Sequence, residues 1–329
     1  MTTNQQTPTP QLGTRMLGTN GPTVSALGLG CMGMSEFYGQ ADRQAALATI
    51  AAALEAGVTL FDTGDFYGMG HNELLLAEAL RGQRDRAFIQ VKFGAQRSPD
   101  GSFIGIDARP AAVNTALSYT LQRLGTDHVD LYQTGLDPAV PIEDTIGAIG
   151  ELVQQGYVRH VGVTNVDADT LRRAHRTHPV TALQFEYSLM SRDIEQEILP
   201  LCRELGIGIT AYGVLGRGLL TGSQGSGEGD LRGTLYSRFQ GEHLKHNAQL
   251  AAALARAAAA EGVTAAQAAI GWVASQGQDI VPLIGARRVD RLIEALSSPL
   301  QLSDSVLTTI EQAVPENAVQ GDRFMTAHA

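Results

Sequence analysis

Eight times along the chain a short run rich in Leu and β-branched residues is followed, after a polar break, by a segment of helical length. That alternation limits the possible folds more than any other feature. The runs fall at residues 24–30, 58–62, 87–92, 129–133, 158–163, 182–185, 207–212 and 280–284, and the helical segments at 42–56, 72–80, 110–124, 143–155, 167–176, 194–205, 264–276 and 289–296. Buried parallel strands need helices over one face or both, so eight strand–helix units in series predict an α/β (β/α)8 TIM barrel in a single domain. A doubly wound sheet would also alternate, but it would carry a dinucleotide fingerprint after the first strand. GLGCMG at 28–33 lacks the G-x-G-x-x-G continuation into a helix and the acidic residue about 20 positions on. An N-terminal hairpin cap is expected around Asn20-Gly21, a type I′ turn pair. Residues 213–246 read as an insertion after the seventh strand, GSQGSGEGD at 222–230 as a mobile loop, and the Ala-rich 251–260 as an ordinary helix.

Composition excludes several functions. A formal charge of −10 over 329 residues argues against nucleic acid or an anionic membrane as the main partner, and any anionic ligand must find a local cationic pocket. Two cysteines, Cys31 and Cys202, make no disulfide framework and no paired metal-ligand spacing, and His128, His160, His175 and His178 add none, so no metal site is expected. The opening MTTNQQTPTPQLG is polar, without a signal pattern, and no run reaches the roughly 18 apolar residues of a membrane span. A cytoplasmic location is the default expectation.

In a barrel the chemistry sits where the strands end at their C-terminal face. The strand ends deliver Asp62, Lys92, Thr164 with Asn165, Gln184, Tyr212 and Arg287, and Tyr67 follows Asp62 by five residues. A carboxylate, an ammonium and a phenol can form a proton-delivering line. A neighbouring cation favours phenolate, so Lys92 is expected to lower the ordinary tyrosine pKa of about 10, with Asp62 holding Lys92 charged and in place. A Schiff-base lysine is the competing use, but it needs a neutral amine, which an adjacent aspartate opposes.

DTGDFYGMGHNELL at 62–75, VKFG at 91–94, GVTN at 162–165, LQFEYSL at 183–189, AYGVLGRGLLTG at 211–222 and VPLIGARRVDRLIEAL at 281–296 together resemble the aldo-keto reductases, over roughly residues 12–315. The resemblance implies a barrel that binds extended NADPH and reduces a small-molecule carbonyl, with Asp62, Tyr67 and Lys92 at the catalytic positions. It leaves residues 1–11 as a disordered tail and 316–329 as a C-terminal tail.

The expected cofactor contacts follow. Tyr212 offers an aromatic face for the nicotinamide, and Thr164, Asn165 and Gln184 offer partners for its carboxamide. Gly213, Val214, Leu215, Gly216, Arg217 and Gly218 form a small-residue loop whose N–H groups can approach a pyrophosphate. Arg287, Arg288 and Arg291, clustered at the start of the last barrel helix, suit a ribose 2′-phosphate, which predicts preference for NADPH over NADH. Glu294 matches an adenine contact of the family, although Ala295 stands where asparagine is usual. Met32, Gly33, Asp62 and Gly285 complete the set. Cys31 is expected to line the mouth beside Met32 and Gly33, and Trp272 to be core.

One departure from the family stands out. DLYQTGLDP at 130–138 has Gly135, or a gap, where most members carry a histidine that orients the substrate carbonyl, and Gln133 or His71 are the residues that could reach in. An NADPH-binding regulatory or scaffold protein with little turnover is therefore the alternative reading. Specificity is expected to lie in loops 34–40, 93–108 and 213–246.

Overall fold

The computed structural model describes residues 12–324. Its centre is a closed barrel of eight parallel strands, each hydrogen-bonded to its neighbours in chain order: β1 (Gly28–Gly30), β2 (Leu60–Gly64), β3 (Phe88–Lys92), β4 (Val129–Thr134), β5 (Val158–Thr164), β6 (Val180–Glu186), β7 (Gly208–Tyr212) and β8 (Ile280–Gly285), with β8 closing on β1. Helices α1 (Arg43–Glu55), α2 (His71–Ala79), α3 (Pro110–Leu124), α4 (Ile142–Gln154), α5 (Ala168–Thr177), α6 (Ile198–Leu205), α7 (Ala265–Ser275) and α8 (Val289–Leu296) form the outer ring. The predicted (β/α)8 architecture is the observed one. Local chemistry sets the helix ends: Pro110 opens α3 and Gly125 ends it at φ +63°, while Thr264 and Gln267 form a capping box on α7.

The hairpin cap, Thr14–Met16 paired with Thr23–Ser25, plugs the N-terminal end of the barrel. Leu17 and Val24 pack on Leu60, Val281 and Leu283, and the Arg15 guanidinium donates to the carbonyls of Ala274 (2.7 Å), Gly277 (2.9 Å) and Ile280, satisfying the orphan end of α7. The turn differs from the expected type I′. Residues 17–22 form a longer loop in which Leu17 N–H meets the Pro22 carbonyl, and Gly18, rather than Asn20 or Gly21, has positive φ. Thr19 N–H is committed to the Gly206 carbonyl at 2.9 Å, which draws the loop under the barrel, and a side chain at Gly21 would start 1.7 Å from the Leu17 carbonyl oxygen. The first predicted strand, 24–30, is also two strands. Ser25 Oγ donates to Leu27 O at 2.7 Å and accepts from Thr59 N–H at 2.9 Å, and the bend at 26–27 transfers the chain from hairpin to barrel.

Three further elements depart from the expected pattern. Residues 194–205 divide into a short turn at Asp193–Glu195 and α6. The 93–108 loop contains an antiparallel pair, Ala95–Arg97 with Phe103–Ile106. The chain beyond 315 docks as far as it is described: His246 Nε2 pairs with Ala318 O (2.8 Å), Gln320 N–H with Asn247 Oδ1 (3.0 Å), and Arg323 with Asp193 (3.2 Å). The expected disordered tail at 1–11 lies outside the described residues. Trp272 is core as expected, fully buried, with its Nε1–H on Glu311. Among the described residues no helix is long and apolar enough to cross a membrane.

Candidate active site

Strand period and barrel register decide which side chains meet at the mouth. Residues two apart on a strand share a face, and the register pairs Gly30 with Asp62, Gly64 with Lys92, Lys92 with Gln133, Gln133 with Gly162, Thr164 with Gln184, and Glu186 with Tyr212. The barrel interior therefore turns polar towards its C-terminal end. Asp62 is buried and its Oδ1 accepts from Lys92 Nζ (2.6 Å), Gln184 Nε2 (2.7 Å) and Gln90 Nε2 (2.9 Å). A carboxylate held by one cation and two amides is well supported in a place where an unpaired charge would be costly.

Tyr67 sits on a short turn directly after β2 and is 6% exposed. Lys92 Nζ lies 5.1 Å from its ring centroid, and Phe66 packs edge-on at 4.9 Å. The turn is held by Asn72, which accepts from Thr63 Oγ1 (2.7 Å) and donates to Cys31 O and Ser35 Oγ (both 2.8 Å). Asp62, Tyr67 and Lys92 are thus brought together as expected, but the electrostatics differ from expectation. Burial, and then the negative charge of Asp62, push the Tyr67 phenol well above its ordinary pKa, and among the described residues no hydrogen bond joins its hydroxyl to Lys92. Lys92 is bonded to Asp62, with its ammonium over the Tyr67 ring. These surroundings favour the neutral phenol over the phenolate.

The residues expected around a cofactor line the same rim. Tyr212 donates to Asn165 Oδ1 at 3.0 Å, Asn165 has a left-handed backbone (φ +51°), and its Nδ2 reaches Thr164 Oγ1 at 3.3 Å. Gln184 has its amide donor on Asp62. In the loop Gly213 to Gly218, the N–H groups of Gly216 and Gly218 are already bound inside the turn, to Gly213 O and Leu215 O, so fewer donors face outward than the sequence suggests. The Arg217 side chain turns inward: its guanidinium lies over the Tyr212 and Tyr236 rings at 5.7 and 4.4 Å and pairs with the buried Glu186 at 2.9 Å. Arg287 donates to Tyr38 O at 2.8 Å, and Gly33 lies beneath Tyr38 and Arg287. Arg288 and Arg291 are on the surface, paired with Asp290 and, for Arg291, with Glu294 at 2.9 Å. Val214 is buried, Met32 and Leu215 are partly buried, and Gly285 is exposed at the end of β8. Cys31 does not line the mouth: it is fully buried, with its thiol on Leu29 O.

The predicted specificity loops meet across the rim. Tyr38 bridges to Asp230, Leu231 N–H binds Phe37 O (3.0 Å), and Arg97 makes a two-pronged contact with Glu36 (2.7 and 2.8 Å). At Gly135 a Cβ would meet only Thr164, at 3.5 Å from its carbonyl oxygen, so a Cβ is accommodated there. His71 is exposed and bonded to Ser35 Oγ at 2.8 Å. Gln133, the register partner of Lys92, is fully buried with both amide atoms lacking a partner.

Sequence reading missed Gln90, Thr210, whose Oγ1 accepts from Gln90 Nε2 at 3.2 Å, Glu186 and the Glu36–Arg97 pair. Gln90 was detectable, since it lies two positions before Lys92 and must share its face. Among the described residues no group of His, Cys, Asp and Glu is arranged to hold a metal.

A family model described as "Aldo/keto reductase family" matches residues 26–315. The chain is 40% identical over 316 residues to "Probable aldo-keto reductase 1" of Glycine max, covering 94% of this chain and 90% of that protein. Similar solved structures include a glycerol dehydrogenase from Gluconobacter oxydans (TM-score 0.81, 26% identity, 91% of this chain and 94% of that one). Another is an aldo/keto reductase from Klebsiella pneumoniae in complex with NADP and acetate (TM-score 0.72, 27% identity, 92% and 95%).

Proposed function

The chain belongs to the aldo/keto reductase family, and from that premise we propose that it reduces an aldehyde or ketone to the alcohol with NADPH, Tyr67 giving the proton. The observation that carries this reading is the buried Asp62–Lys92 pair abutting a protonated phenol at the C-terminal mouth of the barrel. When bound, the cofactor supplies the hydride.

The rim fits such a group. Tyr212 is a partly exposed aromatic platform at a strand end, fixed by Asn165 through its hydroxyl and backed by the Arg217 guanidinium, and a stiff ring is what an orienting stack needs. Thr164, Asn165 and Gln184 would hold the carboxamide, and the outward N–H groups of the 213–218 loop the pyrophosphate. Arg287, Arg288 and Arg291 would meet the 2′-phosphate, the latter two by exchanging Asp290 and Glu294 for it. Tyr67, protonated throughout the physiological range, would donate to the carbonyl oxygen as negative charge develops there.

The absence of a histidine at Gly135 favours the second reading, a cofactor-binding protein with little turnover. Single-turnover oxidation of bound NADPH against a panel of aldehydes and ketones separates the two. Decay with at least one carbonyl, slowed about 10²- to 10⁴-fold in Tyr67→Phe at unchanged NADPH affinity, is expected. No decay with any carbonyl would replace the reductase reading with the second.

A further inference from the structure

One buried charge cluster away from the mouth touches the segment that carries Tyr67 and has no part in the steps above. Glu73, in the first turn of α2, is fully buried and takes a hydrogen bond from Arg123 Nε of α3. Asp65 lies at the other end of the segment, where β2 runs out, with its N–H on Lys92 O at 2.9 Å. Asp65 Oδ1 and Glu73 Oε1 are both buried without a hydrogen-bond partner. Arg123 also reaches the backbone between them, since a Cβ at Gly70 would fall 2.7 Å from Arg123 Cδ and 2.9 Å from Nε. Gly68, Met69 and Gly70 all have left-handed backbone (φ +56°, +55° and +93°), which for Met69 is a strained conformation that its surroundings must enforce.

We propose that Arg123 is a positioning residue for Tyr67: bonded to Glu73 and packed against Gly70, it clamps the end of residues 65–73 so that the strained turn aims the phenol at the mouth. The proposal rests on the reading of Tyr67 as the proton donor. The clamp has a charge imbalance, because Arg123 pairs with Glu73 while Asp65 is a second buried carboxyl close by. The titratable and charged groups facing Asp65 are Glu73, Arg123 and, from β4, Tyr132, which stays a phenol because burial raises its pKa. Burial and then repulsion by Glu73 push the Asp65 carboxyl up to about 7. Below that pH Asp65 is neutral and Arg123 serves Glu73 alone. Above it Asp65 becomes a second buried anion that repels Glu73, and the clamp loosens.

The test uses the full chain and Arg123→Met, Arg123→Lys and Asp65→Asn. Hydrogen–deuterium exchange of residues 65–72, corrected for intrinsic rates, reports the clamp without turnover, and NADPH titration with single-turnover reduction reports its effect. Arg123→Met should exchange at least tenfold faster and slow the chemical step at least tenfold with NADPH affinity within twofold, and Arg123→Lys should recover part of both. Wild type should exchange faster at pH 8 than at pH 6, and Asp65→Asn should abolish that difference. Unchanged exchange and rate in Arg123→Met, or a pH step that survives Asp65→Asn, would overturn the proposal. If Arg123→Met does not fold, Asp65→Asn decides alone. If wild type reduces no carbonyl, the functional reading falls while the exchange data still judge the clamp.

Discussion

Removing the Lys92 ammonium should damage stability and catalysis by separable amounts. Asp62 is 5% exposed, and its Oδ1 is held by Lys92 and by the amides of Gln184 and Gln90. Truncating one partner of a buried ion pair costs about 3 to 5 kcal/mol, because the other charge is left uncompensated. The two amides stay in place in Lys92→Met, which puts the loss near the lower end, about 3 kcal/mol. At roughly 2 °C per kcal/mol for a chain of this size, the melting midpoint should fall by about 6 °C. The double variant Asp62→Asn/Lys92→Met buries no charge at this point, so it should be at least about 2 kcal/mol more stable than the sum of the single losses. Catalysis should not recover with it, because Tyr67 would still lack the cation beneath its ring. Urea denaturation of the four proteins, with single-turnover reduction by each, completes the cycle. A Lys92→Met protein as stable as wild type, or strictly additive losses, would show that the pair is not the coupled unit described here.

Three other outcomes follow. NADPH should bind more tightly than NADH, and Arg288→Ala should weaken NADPH about tenfold, or about 1.4 kcal/mol, while leaving NADH unchanged; equal affinities in a fluorescence titration would refute the arginine assignment. Gly135→His, at a position with room for a Cβ, should speed reduction of simple aromatic aldehydes about tenfold or more by restoring an orienting donor. No gain there, together with wild-type rates in Gln133→Leu, would make both positions irrelevant to orientation. For Asp65, whose folded-state pKa is raised, the stabilising contribution is complete below the ordinary carboxylate range and is lost as pH rises through about 7. Wild type should therefore lose about 2 to 4 kcal/mol between pH 4 and 8 relative to Asp65→Asn, measured by chemical denaturation, and parallel pH profiles would contradict this.

The barrel was legible because its signal is repeated and local: each strand is a short apolar run, and each helix follows at a workable length. What escaped were elements with little apolar content of their own. The pair Ala95–Arg97 and Phe103–Ile106 has one short polar strand and one that exposes Phe103 and Ile104, so no half-buried period marks it. Its turn did leave a trace in Asp100-Gly101, where Gly101 takes φ +84°. The docking of residues 314–324 left none, since Ala318, Gln320 and Asp322 engage the fold largely through backbone groups.

The candidate site divides along the same line between what a strand places and what the assembled barrel does to it. Asp62 and Lys92 could be paired from sequence because each ends a strand and adjacent strands share a register. The charge state of Tyr67 could not. It depends on how deeply the turn at 66–70 is buried and on Asp62, Tyr38, Glu36 and Tyr212 converging from three other segments, and those contributions outweigh the one lysine that sequence reasoning had in view. Arg217 shows the same limit. Its loop was read only as a source of backbone N–H groups for a pyrophosphate, yet Glu186 and two tyrosine rings, from β6, β7 and residue 236, draw its side chain inward, where it stiffens the platform. A strand end tells which residue arrives at the mouth. Only the neighbours it meets there decide whether it serves as acid, as base or as support.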